Sequence, residues 1–376
     1  MLLSDDHVAV QDALRAFVQA EIAPRAAHWD RTHHFPRDEL RGLAGLGCYG
    51  VAVPAEYDGA GLDYLALSII LEEIAAGDGA TSTIVSVNNC PVCSILMAFG
   101  NEDQKQRFLK PLARGDMLGA FCLTEPHVGS QADGLRTTAV RDGDDYVING
   151  VKQFITSGKN GDVAIVMAVT DKAAGKRGIS AFIVPTATPG YTVARIEDKM
   201  GQRASDTAQI LFEDCRVPAA NLLADEGMGL KIALSGLEGG RIGIASQAVG
   251  MARAAFEAAL AYSKERQAFG APIFSHQAVQ FKLADMATQI EAARQLIRHA
   301  AALKDAGRPC LKEAAMAKLN ASEMAERVCS AAIQVFGGYG YVSDFPVERI
   351  YRDVRVCQIY EGTSEVQKIL IGRALA

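Results

Sequence analysis

At 376 residues, with 49% hydrophobic and 22% charged side chains, the chain has material for a large core and for more than one domain. A net charge of -6 without a long Lys/Arg run argues against a nucleic-acid partner. No uninterrupted apolar run of about 20 residues is present, so no membrane span is expected, and Met1-Leu2-Leu3-Ser4-Asp5-Asp6 has neither the basic start and apolar core of a signal peptide nor the arginines of a transit peptide.

Residues 1–116 read as an all-α domain. Ser4-Asp5-Asp6 opens a helix on which Leu14, Phe17, Val18 and Ile22 recur at helical spacing. Pro36 with Asp38 and Glu39 opens another, Asp63–Ala76 and Ala80–Phe99 continue the pattern, and Asn101 caps a helix that ends near Arg114-Gly115. His33-His34 reads as a polar loop before Phe35-Pro36. Over residues 117–226 the period shortens to that of strands. Asn149-Gly150 looks like a hairpin turn between β-rich runs, with further strands at Val163–Thr170, Ile179–Val184, Tyr191–Arg195 and Ala208–Phe212. That spacing predicts a compact sandwich or barrel. Residues 227–376 return to helix, at about 227–265, 276–306, 310–336, 346–356 and 365–374, which predicts an antiparallel bundle.

Eight cysteines are scattered, and only Cys90 and Cys93 have CxxC spacing. No second pair or nearby histidines complete a metal site, so buried reduced thiols and a reducing cytosol are expected. The glycine fingerprint of a dinucleotide fold, the P-loop, HExxH and GxSxG are absent.

What remains is a different set. Phe121–Ser130 joins a strand to a Gly/Ser turn that can offer backbone N–H groups and hydroxyls to a ligand, or be a plain loop. Phe154-Ile155-Thr156-Ser157-Gly158 ends a strand with an aromatic and two hydroxyls. Gly236, Gly239, Gly240 and Gly243 crowd a helix beside Arg241; each costs about 1 kcal/mol relative to Ala, so either a ligand or a neighbouring helix must approach closely there. Phe336–Tyr341 is a glycine-rich link between helices. Near the C-terminus, Tyr360-Glu361-Gly362 sets a carboxylate just before a helix that Ser364 and Gln367 are spaced to cap as a box from about residue 365. Such a carboxylate can serve as a base strengthened by exclusion of water, or simply complement the helix dipole.

Together these pieces resemble the acyl-CoA dehydrogenase family across nearly the whole chain. The matching segments are Leu123-Thr124-Glu125-Pro126 with Gly129-Ser130, Asn149–Thr156, Lys199-Met200-Gly201, Phe212-Glu213-Asp214, Val217-Pro218, Gly240-Arg241-Ile242, Glu265-Arg266 with Phe269-Gly270, His276-Gln277, Phe336–Gly340, Arg352-Asp353 and Tyr360–Thr363. Gly240–Ser246 and Phe281–Met286 look most like the short-chain and short branched-chain members. The resemblance implies an N-terminal α-domain, a central β-domain and a C-terminal four-helix bundle. It also implies noncovalent FAD. Thr124 and Thr156 match positions near the flavin ring, and Phe121, Leu123, Gly129, Ser130, Phe154 and Ile155 match the surrounding cleft. Arg266, Phe269 and Gln277, with Gln334 and Gly338, match positions that hold the pyrophosphate and adenine ends from a neighbouring subunit, and Thr363 and Glu365 match the last flavin-contacting turn. At least a dimer is then required, and the family is usually a tetramer, a dimer of dimers. Ser130, Arg241, Tyr360 and Gly362 match acyl-CoA positions. No metal is implied.

Glu361 matches the catalytic base, which takes the α-proton while the β-hydrogen leaves as hydride to flavin N5. In the family the thioester oxygen is held by the backbone N–H at this position and a flavin ribityl hydroxyl. Desolvation should raise the Glu361 pKa by more than the helix dipole lowers it. Some members carry the base at the position of Gly240; Glu238, two residues earlier, faces nearly the opposite way on a helix, which leaves Glu361. Phe154 replaces a common Trp, Gln131 a usual Asp, and His127 a Gly or Asn. The expectation is an FAD-dependent α,β-dehydrogenase of short straight or small branched acyl-CoA thioesters that passes electrons to electron-transfer flavoprotein. Its setting would be fatty-acid β-oxidation or branched-chain amino-acid catabolism, in a bacterial cytoplasm or, in a eukaryote, the mitochondrial matrix. The alternatives are an oxidase that uses oxygen and a non-catalytic acyl-CoA-binding relative.

Overall fold

The computed structural model describes residues 3–376. Helix α1 (Asp5–Phe17) starts where Ser4 accepts a hydrogen bond from the His7 N–H, with Asp5 and Asp6 in its first turn. It is followed by α2 (Ala23–Thr32) and α3 (Arg37–Gly45), and then by α4 (Tyr64–Gly77), α5 (Gly79–Val87) and α6 (Ser94–Phe99). Asp63 caps α4 and Asp78 caps α5. The run expected to continue unbroken to Phe99 is interrupted at Asn88–Cys93, where Cys90, held out of the helical region by the following Pro91, is extended at φ -138° and ψ 114°. Gly79–Phe99 is long and apolar enough to cross a membrane, yet most of it is buried within the fold. The all-α region closes with α7 (Glu102–Gln104), a π-helical turn Lys105–Leu109, and α8 (Lys110–Arg114).

The central strands are β1 (Gly119–Cys122), β2 (Thr138–Asp142), β3 (Asp145–Thr156), β4 (Val163–Val169), β5 (Ile179–Pro185), β6 (Tyr191–Ile196), β7 (Thr207–Pro218) and β8 (Leu222–Leu223). Their order is β6-β7-β3-β2-β4-β5-β8, with β1 parallel beside β4. Asn149-Gly150 is not the hairpin turn. It lies inside β3, at a register shift opposite β7, and a Cβ on Gly150 would stand 2.5 Å from Thr137 Oγ1. The turn is made at Gly143-Asp144, with Asp142 paired to Asp145 and Gly143 at φ 65°.

The long helices α9 (Gly229–Glu265), α10 (Gln277–Asp305) and α11 (Leu311–Phe336) pack on one another, and the shorter α12 (Pro346–Val354) and α13 (Ser364–Leu375) close against α11. Alanines line the shared core, among them Ala248, Ala252 and Ala255 of α9 and Ala317, Ala321 and Ala325 of α11. Ion pairs link the N-terminal helices to one another and to this bundle. Arg253 bridges Glu72 and Glu73 at 3.2 and 2.7 Å, Arg294 reaches Glu72 at 2.9 Å, and Arg15 reaches Glu73 at 2.8 Å. Burial works against ionised Glu73, but Arg15 and Arg253 hold its pKa below the usual carboxylate value.

Candidate functional site

Tyr360-Glu361-Gly362 forms a tight turn in which Glu361 has φ 54° and Gly362 φ 90°. A non-glycine residue held in the left-handed region is strained, and such strain collects at functional sites. The turn is held from outside. Gln367 Nε2 donates to the carbonyls of Glu361 and Gly362, at 3.1 and 2.8 Å, and Lys318 Nζ donates to the Gly362 carbonyl at 2.7 Å. The helix cap therefore sits one residue earlier than the sequence indicated. Thr363 is the N-cap of α13, accepting from the Val366 N–H at 3.3 Å, while Gln367 Nε2 donates to the turn and its Oε1 is left without a partner, so no capping box forms at Ser364. No protein acceptor takes the Glu361 N–H among the described residues.

The Glu361 side chain lies against Gly240 of α9, where an added Cβ would meet Oε2 at 2.5 Å. Glu361 Oε2 is buried without a hydrogen-bond partner, as are Nε and Nη1 of Arg241. Burial pushes the Glu361 carboxyl up to about 7, against the opposing pull of Arg241 and Lys318. Lys318 is fully buried, and its ammonium is brought down to about 8, chiefly by burial. Glu238 is turned away from this site toward Lys304 at 3.1 Å and the Cys310 thiol at 3.3 Å.

The Tyr360 hydroxyl points into the interior. It donates to Gln247 Oε1, accepts from Gln202 Nε2 at 3.3 Å, and lies 3.5 Å from Thr83 Oγ1. The Gln202 N–H donates to the Asp353 carboxylate, while an added Cβ on neighbouring Gly201 would stand 2.4 Å from the Arg352 backbone. The β6–β7 loop, α5, α9 and α12 thus meet behind the turn. Any contact of Tyr360 with a substrate falls to its ring or backbone.

On the β-domain, Lys152 and Glu125 form a buried pair at 2.9 Å; Lys152 also donates to the Leu123 carbonyl at 3.1 Å. Glu125 accepts from the N–H groups of Arg136 and Thr137 at 2.8 and 3.0 Å. One ion pair thereby ties both ends of the loop carrying Leu123, Thr124, Gly129 and Ser130. His127 reaches this pair at 3.5 Å. The Thr124 carbonyl accepts from the Gln153 N–H at 2.9 Å, which sets the loop beside the end of β3. Phe154 is 63% exposed at φ 59°, Ile155 is buried, and Phe121, Thr124 and Thr156 are half-buried. Gly129 and Ser130 are exposed.

The remaining sequence-predicted residues lie elsewhere. Arg266, Phe269, Gln277, Gln334 and Gly338 are all exposed, Phe269 at 97%. Arg266 and Gly338 line a surface cavity of about 590 Å³ with Tyr262, Phe336, Tyr339 and Asp344. Tyr262 stacks on Phe336 at 4.2 Å, and Arg266 lies over Tyr339 at 5.7 Å. None of the cavity's lining residues belongs to the Glu361 turn. Thr363 and the exposed Glu365 open α13, immediately after the turn.

The sequence reading missed Lys318, Lys152, Gln202, Gln247 and Thr83. Lys318 had a signal: it falls on the apolar stripe Ala314, Ala321, Ala325 of α11, where a cation is out of place. Among the described residues no group of three or more His, Cys, Asp or Glu side chains gathers in a way that could hold a metal, and all eight cysteines are free and buried.

Comparison with known proteins gives a match to the N-terminal domain of acyl-CoA dehydrogenases over residues 4–116, to their middle domain over 120–215 and to their C-terminal domain over 227–376. The chain belongs to the acyl-CoA dehydrogenase family. Among acyl-CoA dehydrogenases, it is 48% identical to the mitochondrial short-chain specific enzyme of Rattus norvegicus, over 98% of this chain and 90% of the relative. The structure of butyryl-CoA dehydrogenase from Megasphaera elsdenii superposes with a TM-score of 0.97 at 43% identity, covering 100% of this chain and 99% of that one. A chain from a structure of the electron transferring flavoprotein of Acidaminococcus fermentans gives 0.98 at 47% identity, with 100% and 99% covered.

Proposed function

We propose that this acyl-CoA dehydrogenase uses Glu361 to remove the α-proton of a short straight or small branched acyl-CoA thioester, giving the trans-2-enoyl-CoA, with electrons passed to electron-transfer flavoprotein. The observation that carries this reading is the buried, unpartnered Oε2 of Glu361, set between Gly240 and two cationic side chains. A carboxylate whose pKa lies near neutrality is matched to a proton-abstraction step at physiological pH.

The residues present fit FAD. The exposed ring of Phe154 and the Thr124 and Thr156 hydroxyls, which no protein group takes among the described residues, would hold the ring end. Thr363 and Glu365 would add the last contacts on that side. Arg266, Phe269, Gln277, Gln334 and Gly338, contributed by a neighbouring copy, would hold the far end, which makes the working unit at least a dimer and, on this reading, a tetramer. Bound FAD supplies the hydride acceptor. Arg241 and Lys318 keep the ionised form of Glu361 within reach despite burial. The Glu361 N–H, free of protein acceptors, is available to a thioester oxygen.

A short acyl group is supported by helix packing behind the base. An added Cβ would stand 2.7 Å from Pro91 at Gly236, 2.9 Å from Cys90 Sγ at Gly239 and 2.7 Å from Ser86 Oγ at Gly243. These contacts leave α9 pressed onto the Ser86–Pro91 segment. A role in β-oxidation or branched-chain catabolism, in a bacterial cytoplasm or a mitochondrial matrix, belongs to the same proposal.

The test is an anaerobic visible-absorption titration of the flavoprotein with butyryl-CoA and isobutyryl-CoA. Bleaching of the flavin is expected, and the better bleacher sets the acyl class. A band that fails to bleach with either would overturn the short-acyl reading, and rapid reoxidation by air would favour an oxidase.

A further inference from the structure

We infer that Lys318 is a positioning residue for the base: it fixes the Glu361-Gly362 turn through the Gly362 carbonyl and supplies a positive charge that keeps Glu361 ionisable in a dry site. The inference rests on the reading of Glu361 as the base.

Three observations carry it. Lys318 is fully buried in the first third of α11, on a face otherwise lined by Ala314, Ala321 and Ala325. Its Nζ reaches one protein acceptor among the described residues, the Gly362 carbonyl at 2.7 Å, and no carboxylate makes a salt bridge with it. The carbonyl it holds belongs to the residue that follows Glu361, in a turn that keeps Glu361, a non-glycine residue, at φ 54°.

A merely structural role does not account for this. A buried ammonium is costly unless paired with an opposite charge, and an apolar side chain would pack this face at least as well. The hydrogen bond to one carbonyl does not replace a counter-ion. The arrangement makes sense if the uncompensated charge acts on a group that ionises during turnover. The charged and titratable groups around the site are Arg241 from α9, Cys90 from the segment before α6, Cys357 from the stretch before the turn, Glu365 from α13, and Glu361 itself. Only Arg241 and Lys318 act on Glu361 in the direction of ionisation.

The sign follows. Removing the Lys318 charge makes ionised Glu361 harder to form, so the acid limb of kcat/KM moves to higher pH. An opposite charge within about 4–6 Å shifts a carboxyl by about 1 pH unit or more. At about pH 5.5, more than a unit below the Glu361 value of about 7, a shift of about 1 unit lowers kcat/KM roughly tenfold.

The experiment is the pH profile of kcat/KM for butyryl-CoA with Lys318→Met, Lys318→Gln and Lys318→Arg, each purified as flavoprotein. Lys318→Met and Lys318→Gln should move the acid limb upward, and Lys318→Arg should leave it in place. An unmoved limb in the neutral variants, or the same shift in all three, would overturn the inference. If neither neutral variant folds, Lys318→Arg keeps the inference falsifiable: a limb shifted by about a unit or more overturns it. Glu361→Gln separates the two levels. If that variant still turns over, the reading of the base fails; if it is inactive while the Lys318 profiles do not move, only the present inference fails.

Discussion

Gly240 lies directly against the Glu361 carboxylate: a Cβ built on the glycine would stand 2.5 Å from Oε2 and 2.9 Å from Cδ. The mid-helix glycine thus makes room for a carboxylate delivered by another part of the chain. Gly240→Ala should raise helix propensity by about 1 kcal/mol while forcing the carboxylate aside. The expected outcome is an unchanged or slightly higher Tm with kcat for butyryl-CoA reduced by at least ~10-fold, because small displacements of a reacting group are costly. Full activity would place the working base elsewhere.

Glu361→Gln keeps the shape of the side chain and removes its basicity. A general base contributes about 10²–10⁴-fold to rate, so flavin reduction by butyryl-CoA should slow by at least that order. The flavin band itself should survive. Stopped-flow absorbance in the absence of oxygen measures both.

The raised carboxyl also leaves a mark on stability. Its folded pKa of about 7 exceeds the ordinary value of 4.5, so the protonated form favours the native state. The contribution is fully present below pH 4.5 and lost as pH rises through 7; the shift corresponds to at most about 3 kcal/mol. Asp353, raised to about 7 by burial, changes stability in the same direction. Glu361→Gln removes one of these two terms. Its Tm, measured against the parent, should gain more at pH 8 than at pH 5, and an equal difference at both would contradict a buried, ionisable Glu361.

Lys152→Met should strand the Glu125 carboxylate, which is buried and already accepts two backbone N–H groups. Breaking a buried pair in this way costs about 3–5 kcal/mol. The loop that holds Thr124 and Ser130 should loosen with it. Expected readings are a lower Tm and a smaller fraction of bound flavin after gel filtration. Adding Glu125→Gln should recover part of the Tm.

Helices were legible where apolar residues recur at helical spacing, as along Leu14, Val18 and Ile22 or through α9 to α11. Strands were legible as dense β-branched runs. Local signals failed where a distant group had a prior claim on the residue. Asn149-Gly150 has the composition of a turn, but its glycine is required by Thr137 on an adjoining segment. Ser364 and Gln367 have capping-box spacing, but Thr363 takes the cap and Gln367 Nε2 is turned to the carbonyls of Glu361 and Gly362. Glu361 itself could be singled out, since its aromatic and glycine neighbours are contiguous in sequence. Gln202 and Thr83, which complete the Tyr360 contacts, could not, because 119 positions separate two groups that hydrogen-bond to each other.

Every one of the eight cysteines is buried and unpaired. A thiol reagent in solution therefore finds no target on the folded chain, and modification must wait for the structure to open. The slowest cysteine to react reports the lifetime of the intact fold, with no substitution in the chain. Spread from Cys48 near the start to Cys357 just before the Glu361 turn, the eight thiols form a built-in record of which region opens first.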